Sequence, residues 1–140
     1  MKRVLVGGCF DILHIGHIRF LRAAKKAGDF LTVMLEPDEK LRLMKGKNRP
    51  IHAQEMRKEM LLSLSSVDEV VILPSLITYR EYLLWVKKIK PEIIAVTHND
   101  PKIGEKRKMA ALVGAKLKVV MKRLENYSTT KILDFKTRKL

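Results

Sequence analysis

Two spacings of apolar residues alternate along the chain. Short continuous runs, read as strands, fall at 3–7, 30–35, 67–73, 93–96 and 116–121. Runs of this length rich in apolar residues suit the strands of a sheet. Between them, apolar residues recur every three to four positions, the period of a helix with one buried stripe. One such helix is expected over 14–28, with Phe20, Leu21, Ala24 and Ala27 inward and Gly28 at its end. A second spans 52–65 with Met56, Met60, Leu61 and Leu64. A third carries Tyr79, Leu83 and Val86 and stops at Pro91. A fourth starts at Asp100-Pro101 and ends near Gly114. Ser128-Thr129-Thr130 caps a last helix with Ile132 and Leu133. After Pro37 a basic segment follows, with Lys40, Arg42, Lys45, Lys47 and Arg49. Met56, Met60, Tyr82, Trp85 and Met109 are expected in the core or at a subunit contact. Strand–helix alternation predicts an α/β fold: a Rossmann-like parallel five-stranded sheet with helices on both faces, a single domain over 1–140.

The first strand runs into Gly7-Gly8-Cys9-Phe10-Asp11, and His14-Ile15-Gly16-His17 opens the first helix. Glycines let backbone approach a ligand closely. A helix start presents unpaired N–H groups and partial positive charge, which suits phosphate. His14 and His17 are three apart, hence on one helix face. Both should face the carboxyl ends of the strands, where open α/β sheets bind ligands. Two structural histidines, or a zinc site, are the other readings of such a pair. Gly16 between them weakens the helix without a packing return, which favours a close ligand. Cys9 has no base beside it in any established motif and reads as a small residue in a tight turn.

Charge sharpens this picture. The 29 Lys and Arg against 15 Asp and Glu give a net charge of +14. A generally basic surface would do this; so would attraction of polyanionic substrates. No helix-turn-helix, zinc-finger or aromatic RNA-binding signature is present, so nucleic acid is not expected as a partner. No apolar run is long enough to span a membrane. Met1-Lys2-Arg3 leads straight into the first strand, so no signal peptide is expected, and a single cysteine fits a reducing cytoplasm.

Three further places can hold phosphate charge. Lys45-Gly46-Lys47-Asn48-Arg49-Pro50 could fold as a mobile basic loop over a triphosphate, or could be a solvated loop. Ser128, Thr129 and Thr130 are ordinary helix caps and equally a phosphate cradle. His98-Asn99-Asp100 follows the fourth strand, either as a capped turn or as part of the site.

Gly8-Cys9-Phe10-Asp11 followed after two residues by His14-Ile15-Gly16-His17 resembles the G-x-F-D and H-x-G-H signature of the cytidylyltransferase-like nucleotidyltransferases. Lys45-Gly46 with Arg49-Pro50 resembles the K-G…R-P segment of the adenylyltransferase domain that makes ADP-heptose. Arg123, Glu125 and Ser128-Thr129-Thr130 resemble the R-x-E-x-x-S-T-T run of glycerol-3-phosphate cytidylyltransferases, with Asn126 where relatives usually have Gly. His98 also stands where relatives commonly have Gly. The resemblance implies transfer of a nucleoside monophosphate from a triphosphate, ATP ahead of CTP, to a small phosphorylated acceptor with release of pyrophosphate. A sugar phosphate leads as acceptor; glycerol 3-phosphate with CTP, and FMN with ATP, are alternatives. A nucleotide-binding regulator on the same fold is the non-enzyme alternative. It implies His14, His17, Lys45 and Arg123 as catalytic residues. Gly7, Gly8, Cys9, Phe10, Asp11, His98, Asn99, Asp100, Ser128, Thr129 and Thr130 would bind nucleotide, with Arg49 as a possible phosphate contact. Asp11 would fix the turn rather than react. Mg²⁺ would bridge the phosphates without a protein cage, and a homodimer is expected.

Overall fold

The computed structural model describes residues 1–75 and 77–122. Its elements in chain order are β1 (Arg3–Gly8), α1 (Ile15–Lys26), β2 (Phe30–Leu35), α2 (Asp38–Lys45), α3 (Gln54–Leu62), β3 (Glu69–Ile72), α4 (Tyr79–Ile89), β4 (Ile93–Thr97), α5 (Ile103–Val113) and β5 (Lys116–Met121). All five strands are parallel, in the order β3-β2-β1-β4-β5. The expected Rossmann-like α/β sheet is therefore present. The expected last helix lies outside the described residues.

Side chains alternate across each strand and sort the core into two layers. Val4, Val6, Leu31, Val33, Ile93 and Ala95 pack under α1 and α3 with Leu21, Ala24 and Leu61. Leu5, Met34, Ile94 and Val96 pack on the other face with Val86 and Ile89 of α4 and Met109 and Ala110 of α5. Each fully buried Leu or Val contributes about 1.5–3 kcal/mol relative to exposure. Met109 is core, as expected, whereas Met56 is half exposed (52%).

The basic segment after β2 begins as a helix over residues 38–45, for which no element was expected. Asp38 and Glu39 in the first turn and Arg42 and Lys45 in the last complement the helix dipole. Leu41 anchors it in the core with no exposed surface. Gly46 then turns the chain at φ 100°, a backbone conformation that side chains resist.

The order of strands fixes where a ligand can sit. β1 pairs with β2 on one side and β4 on the other, Val4 meeting Leu31 and Ile93. The order in which strands are added reverses between β1 and β4, so the crevice opens at their carboxyl ends. The Gly7–His17 turn follows β1 there, and His98-Asn99-Asp100 follows β4.

Candidate active site

Helix α1 begins at Ile15, with His14 as its N-cap. The Nδ1 of His14 accepts from the Gly16 N–H at 3.1 Å, and the Nδ1 of His17 accepts from the His14 N–H at 3.3 Å. This is a capping box made of two imidazoles rather than a hydroxyl and a carboxylate. The rings stack with centroids 3.7 Å apart, and the His17 ring lies 5.2 Å from Phe10. Because each Nδ1 accepts, the neutral ring carries its proton on Nε2, so each histidine is set as an Nε2–H donor.

The turn before the pair is held by Asp11, whose carboxylate is fully buried. Oδ1 accepts from the N–H groups of Ile51 and His52 at 2.9 and 3.0 Å, and Oδ2 from Arg49 Nε at 2.7 Å. Burial alone would raise the Asp11 pKa; the two backbone N–H groups and the Arg49 guanidinium outweigh it and hold it below 3.8. The arrangement matches a turn-fixing role. Arg49 is 8% exposed and donates its Nε to Asp11, while its Nη2 is buried with no hydrogen-bond partner among the described residues.

Phe10 is buried with φ 45°, and a β-carbon on Gly8 would lie 2.8 Å from its ring. Gly8 thus makes room for the ring that in turn supports His17. Burial pushes the Cys9 thiol above its ordinary value of 9.0; the Lys45 charge opposes this, Glu36 adds to it, and Arg57 and Arg49 oppose it. A thiol held protonated is a poor nucleophile.

Arg57 is a residue that the sequence reading passed over. It has no exposed surface. Its guanidinium donates to the carbonyls of His52 at 2.9 Å, Cys9 at 2.8 Å and Glu36 at 2.8 Å, and to Asp38 Oδ1 at 2.8 Å. One side chain therefore joins the loops after β1 and β2 and the start of α3. The available signal was position: Arg57 and Leu61 share the inward stripe of α3, where an arginine needs partners.

Across the crevice, His98 and Asn99 are exposed and paired to each other, His98 Nδ1 to Asn99 Oδ1 at 3.0 Å. Asp100 receives the Lys102 N–H at 2.8 Å and the Lys106 ammonium at 2.5 Å, and so orders the entry to α5. His98 also lines a shallow hollow of about 350 Å³ with Val119, Val120, Met121 and Lys122. Arg123, Ser128, Thr129 and Thr130 lie outside the described residues.

A five-stranded parallel sheet with a glycine turn and a histidine pair at its switch point defines an α/β fold of Rossmann type. The family model described as cytidylyltransferase-like matches residues 5–135, and the chain belongs to that family. It is 46% identical over 91 residues to the bifunctional protein HldE of Campylobacter fetus subsp. fetus (strain 82-40), covering 65% of this chain and 19% of that protein. It is 46% identical over 95 residues to the FAD synthase of Thermococcus onnurineus (strain NA1), covering 67% of this chain and 60% of that protein. The chain thus matches less than two thirds of the length of either relative. The crystal structure of the lipopolysaccharide core biosynthesis protein from Thermoplasma volcanium GSS1 superposes with a TM-score of 0.72 at 29% identity, covering 91% of this chain and 99% of that one. Among the described residues no helix is long and apolar enough to cross a membrane.

Proposed function

We propose that this chain is a nucleotidyltransferase that moves AMP from ATP onto the phosphate of a small phosphorylated acceptor. The acceptor phosphate oxygen bonds to the α-phosphorus, the bond to the β-phosphate oxygen breaks, and pyrophosphate leaves with the electron pair. Charge gathers on phosphate oxygens, so preorganised donors lower the barrier without a covalent intermediate. The observation that carries this reading is the stacked His14–His17 pair at the start of α1, whose Nδ1 atoms accept from the helix-cap N–H groups, so that each neutral ring carries its proton on Nε2. Lys45 would neutralise the β and γ phosphates. Arg123, Ser128, Thr129 and Thr130 would join it on the strength of the resemblance alone. His98, Asn99 and the hollow beside β5 would receive the nucleoside.

Mg²⁺ would supply charge neutralisation between the phosphates. Asp11 and Asp100 are engaged by protein donors, so phosphate oxygens and water would be its ligands, as Mg²⁺ commonly accepts. The relationship to HldE favours a sugar phosphate as acceptor; the equally high identity to an FAD synthase favours FMN as the second reading. We place the enzyme in the cytoplasm as a homodimer, for which exposed Ile15 on α1 offers apolar surface. A monomer by light scattering at micromolar concentration would contradict the dimer.

The test is pyrophosphate release from ATP and CTP against a panel of phosphorylated acceptors. ATP with a sugar phosphate should be the most active pair. His17→Ala should then lower kcat by roughly a hundredfold or more with a smaller change in ATP affinity, the scale for losing one preorganised donor. No release from either triphosphate with any acceptor would overturn the proposal.

A further inference from the structure

Exposed apolar side chains gather on one stretch of chain. Leu43 and Met44 near the end of α2 are 69% and 51% exposed, Ile51 in the following loop 48%, and Met56 in the first turn of α3 52%. Single exposed apolar residues are ordinary, whereas a group of them close along the chain forms a patch. The backbone beneath is fixed. Gly46 donates its N–H to Arg42 O at 3.0 Å, Arg49 donates its own to Gly46 O at 3.1 Å, and Ile51 donates to the buried Asp11 carboxylate at 2.9 Å. Leu41 seats α2 in the core. The segment is thus held from the inside while residues 42–48 are all exposed. Arg42, Lys45 and Lys47 lie in that run, and no carboxylate does. None of the three joins an ion pair among the described residues. Of the flanking acids, Asp38 is tied to Arg57, and Glu39 and Glu55 stand in the first turns of α2 and α3, where the helix dipole favours them.

Apolar side chains among unneutralised cations call for a partner that is both apolar and negative. A second copy of this chain does not fit, because a two-fold contact through the patch would bring the same cations together. A nucleic acid supplies phosphate but has no use for Leu43 and Met44, and residues 42–56 hold no aromatic ring other than His52 on which a base would stack. A helical peptide needs a groove, whereas Leu43 stands out from the surface. A bilayer meets both demands: its headgroup layer takes the cations, and the acyl boundary beneath takes protruding apolar side chains. We infer that residues 42–51, with Met56, dock this protein onto an anionic lipid surface. Ile51 is bonded to Asp11, so the docked face borders the β1 turn. Docking is independent of the nucleotidyl transfer proposed above.

The experiment sediments the full chain with sucrose-loaded vesicles, either of phosphatidylcholine alone or of two parts phosphatidylcholine to one part phosphatidylglycerol. The parent should bind the anionic vesicles and not the neutral ones, and rising salt should weaken the binding. Leu43→Ser with Met44→Ser should lower the partition roughly tenfold or more, as should Arg42→Gln with Lys47→Gln. Neither pair should lower the melting temperature by more than about 2 °C, because all of these side chains are exposed. Lys87→Gln with Lys88→Gln removes equal charge from exposed positions of α4 and should leave the partition within about twofold. Equal loss in that α4 pair would assign the binding to net charge and overturn the inference. So would equal binding to neutral vesicles, no binding to either kind, or unchanged binding in both patch variants. Tighter binding of a DNA duplex than of anionic vesicles, lost in the same variants, would overturn it in favour of nucleic acid. A parent dimer that becomes a monomer in Leu43→Ser with Met44→Ser, without vesicle binding, would overturn it in favour of a second copy. Pyrophosphate release is measured separately without vesicles, so loss of the docking reading and loss of the nucleotidyl-transfer reading stay distinguishable.

Discussion

Single residues here do two jobs at once, and the jobs can be separated. His14 caps α1 through Nδ1 and, in the proposed mechanism, donates through Nε2. Asparagine is among the best N-caps and has no second nitrogen in the ring position, so His14→Asn should keep the melting temperature within about 2 °C and lose most turnover. His14→Ala should lose both, with about 0.5–2 kcal/mol of stability gone with the cap. If His14→Asn keeps normal kinetics, the ring is only a cap. Asp11 offers a matching test by pH. Its pKa is lowered on folding, so its stabilising effect is complete at neutral pH and is lost as pH falls through that lowered value, below 3.8. Asp11→Asn leaves the buried Arg49 without its partner and should cost about 3–5 kcal/mol at pH 7. Its acid limb should be flatter than the parent's, because the titrating group is gone. Thermal melts of both proteins between pH 2.5 and 7 would show the curves converging toward acid; parallel curves would assign the acid limb to other carboxylates.

At the scale of elements, what could be read beforehand depended on how much of each element faces the core. Strands β1, β2 and β4 were legible because they are buried and almost entirely apolar, whereas β5, with Lys116 and Lys118 exposed, was legible from Leu117 and Val119-Val120-Met121. Helix α2 was not, because only Leu41 is buried while Leu43 and Met44 are 69% and 51% exposed, which erases the helical period. Its acidic first turn and basic last turn were the readable sign. The burial of Arg49 and Arg57 was not legible for one reason: in a sequence with 29 basic residues, two that are buried look like the rest. Their partners, Asp11 at 38 positions' distance and Cys9 at 48, exist only once the chain is folded. Helix ends were misjudged by two or three residues, which is usual where caps decide them. One end can be improved. Lys90 closes α4 in the left-handed conformation at φ 56°, where glycine is the preferred residue. Lys90→Gly should stabilise by about 0.5–1 kcal/mol, raising the melting temperature by a few degrees without touching kinetics. A lower melting temperature would mean that the lysine side chain contributes more than its backbone costs.

For the whole molecule, the alternation of strands and helices gave the parallel sheet, but not where the order of strand addition reverses across it. That reversal, between β1 and β4, is what brings the histidine pair and the His98–Asp100 turn to one crevice from opposite ends of the sequence. The net charge of +14 acts at the same scale. If the basic residues merely solvate the surface, their field at the crevice is diffuse and salt changes little. If they help gather a triphosphate and a phosphorylated acceptor, association should weaken as ions screen them, since the Debye length shrinks from about 20 Å near 0.02 M salt to about 5 Å near 0.4 M. The sign follows directly: kcat/KM for ATP should fall as potassium chloride is raised across that range, by roughly three- to tenfold. The kcat itself should change little, because the bound complex is held by short-range donors such as the histidine pair, which screening reaches least. Steady-state kinetics at fixed free Mg²⁺ separates the two quantities. A kcat/KM that is flat with salt would leave the charge without a role in capture, whereas a kcat that falls in step with it would point to salt disrupting the folded site.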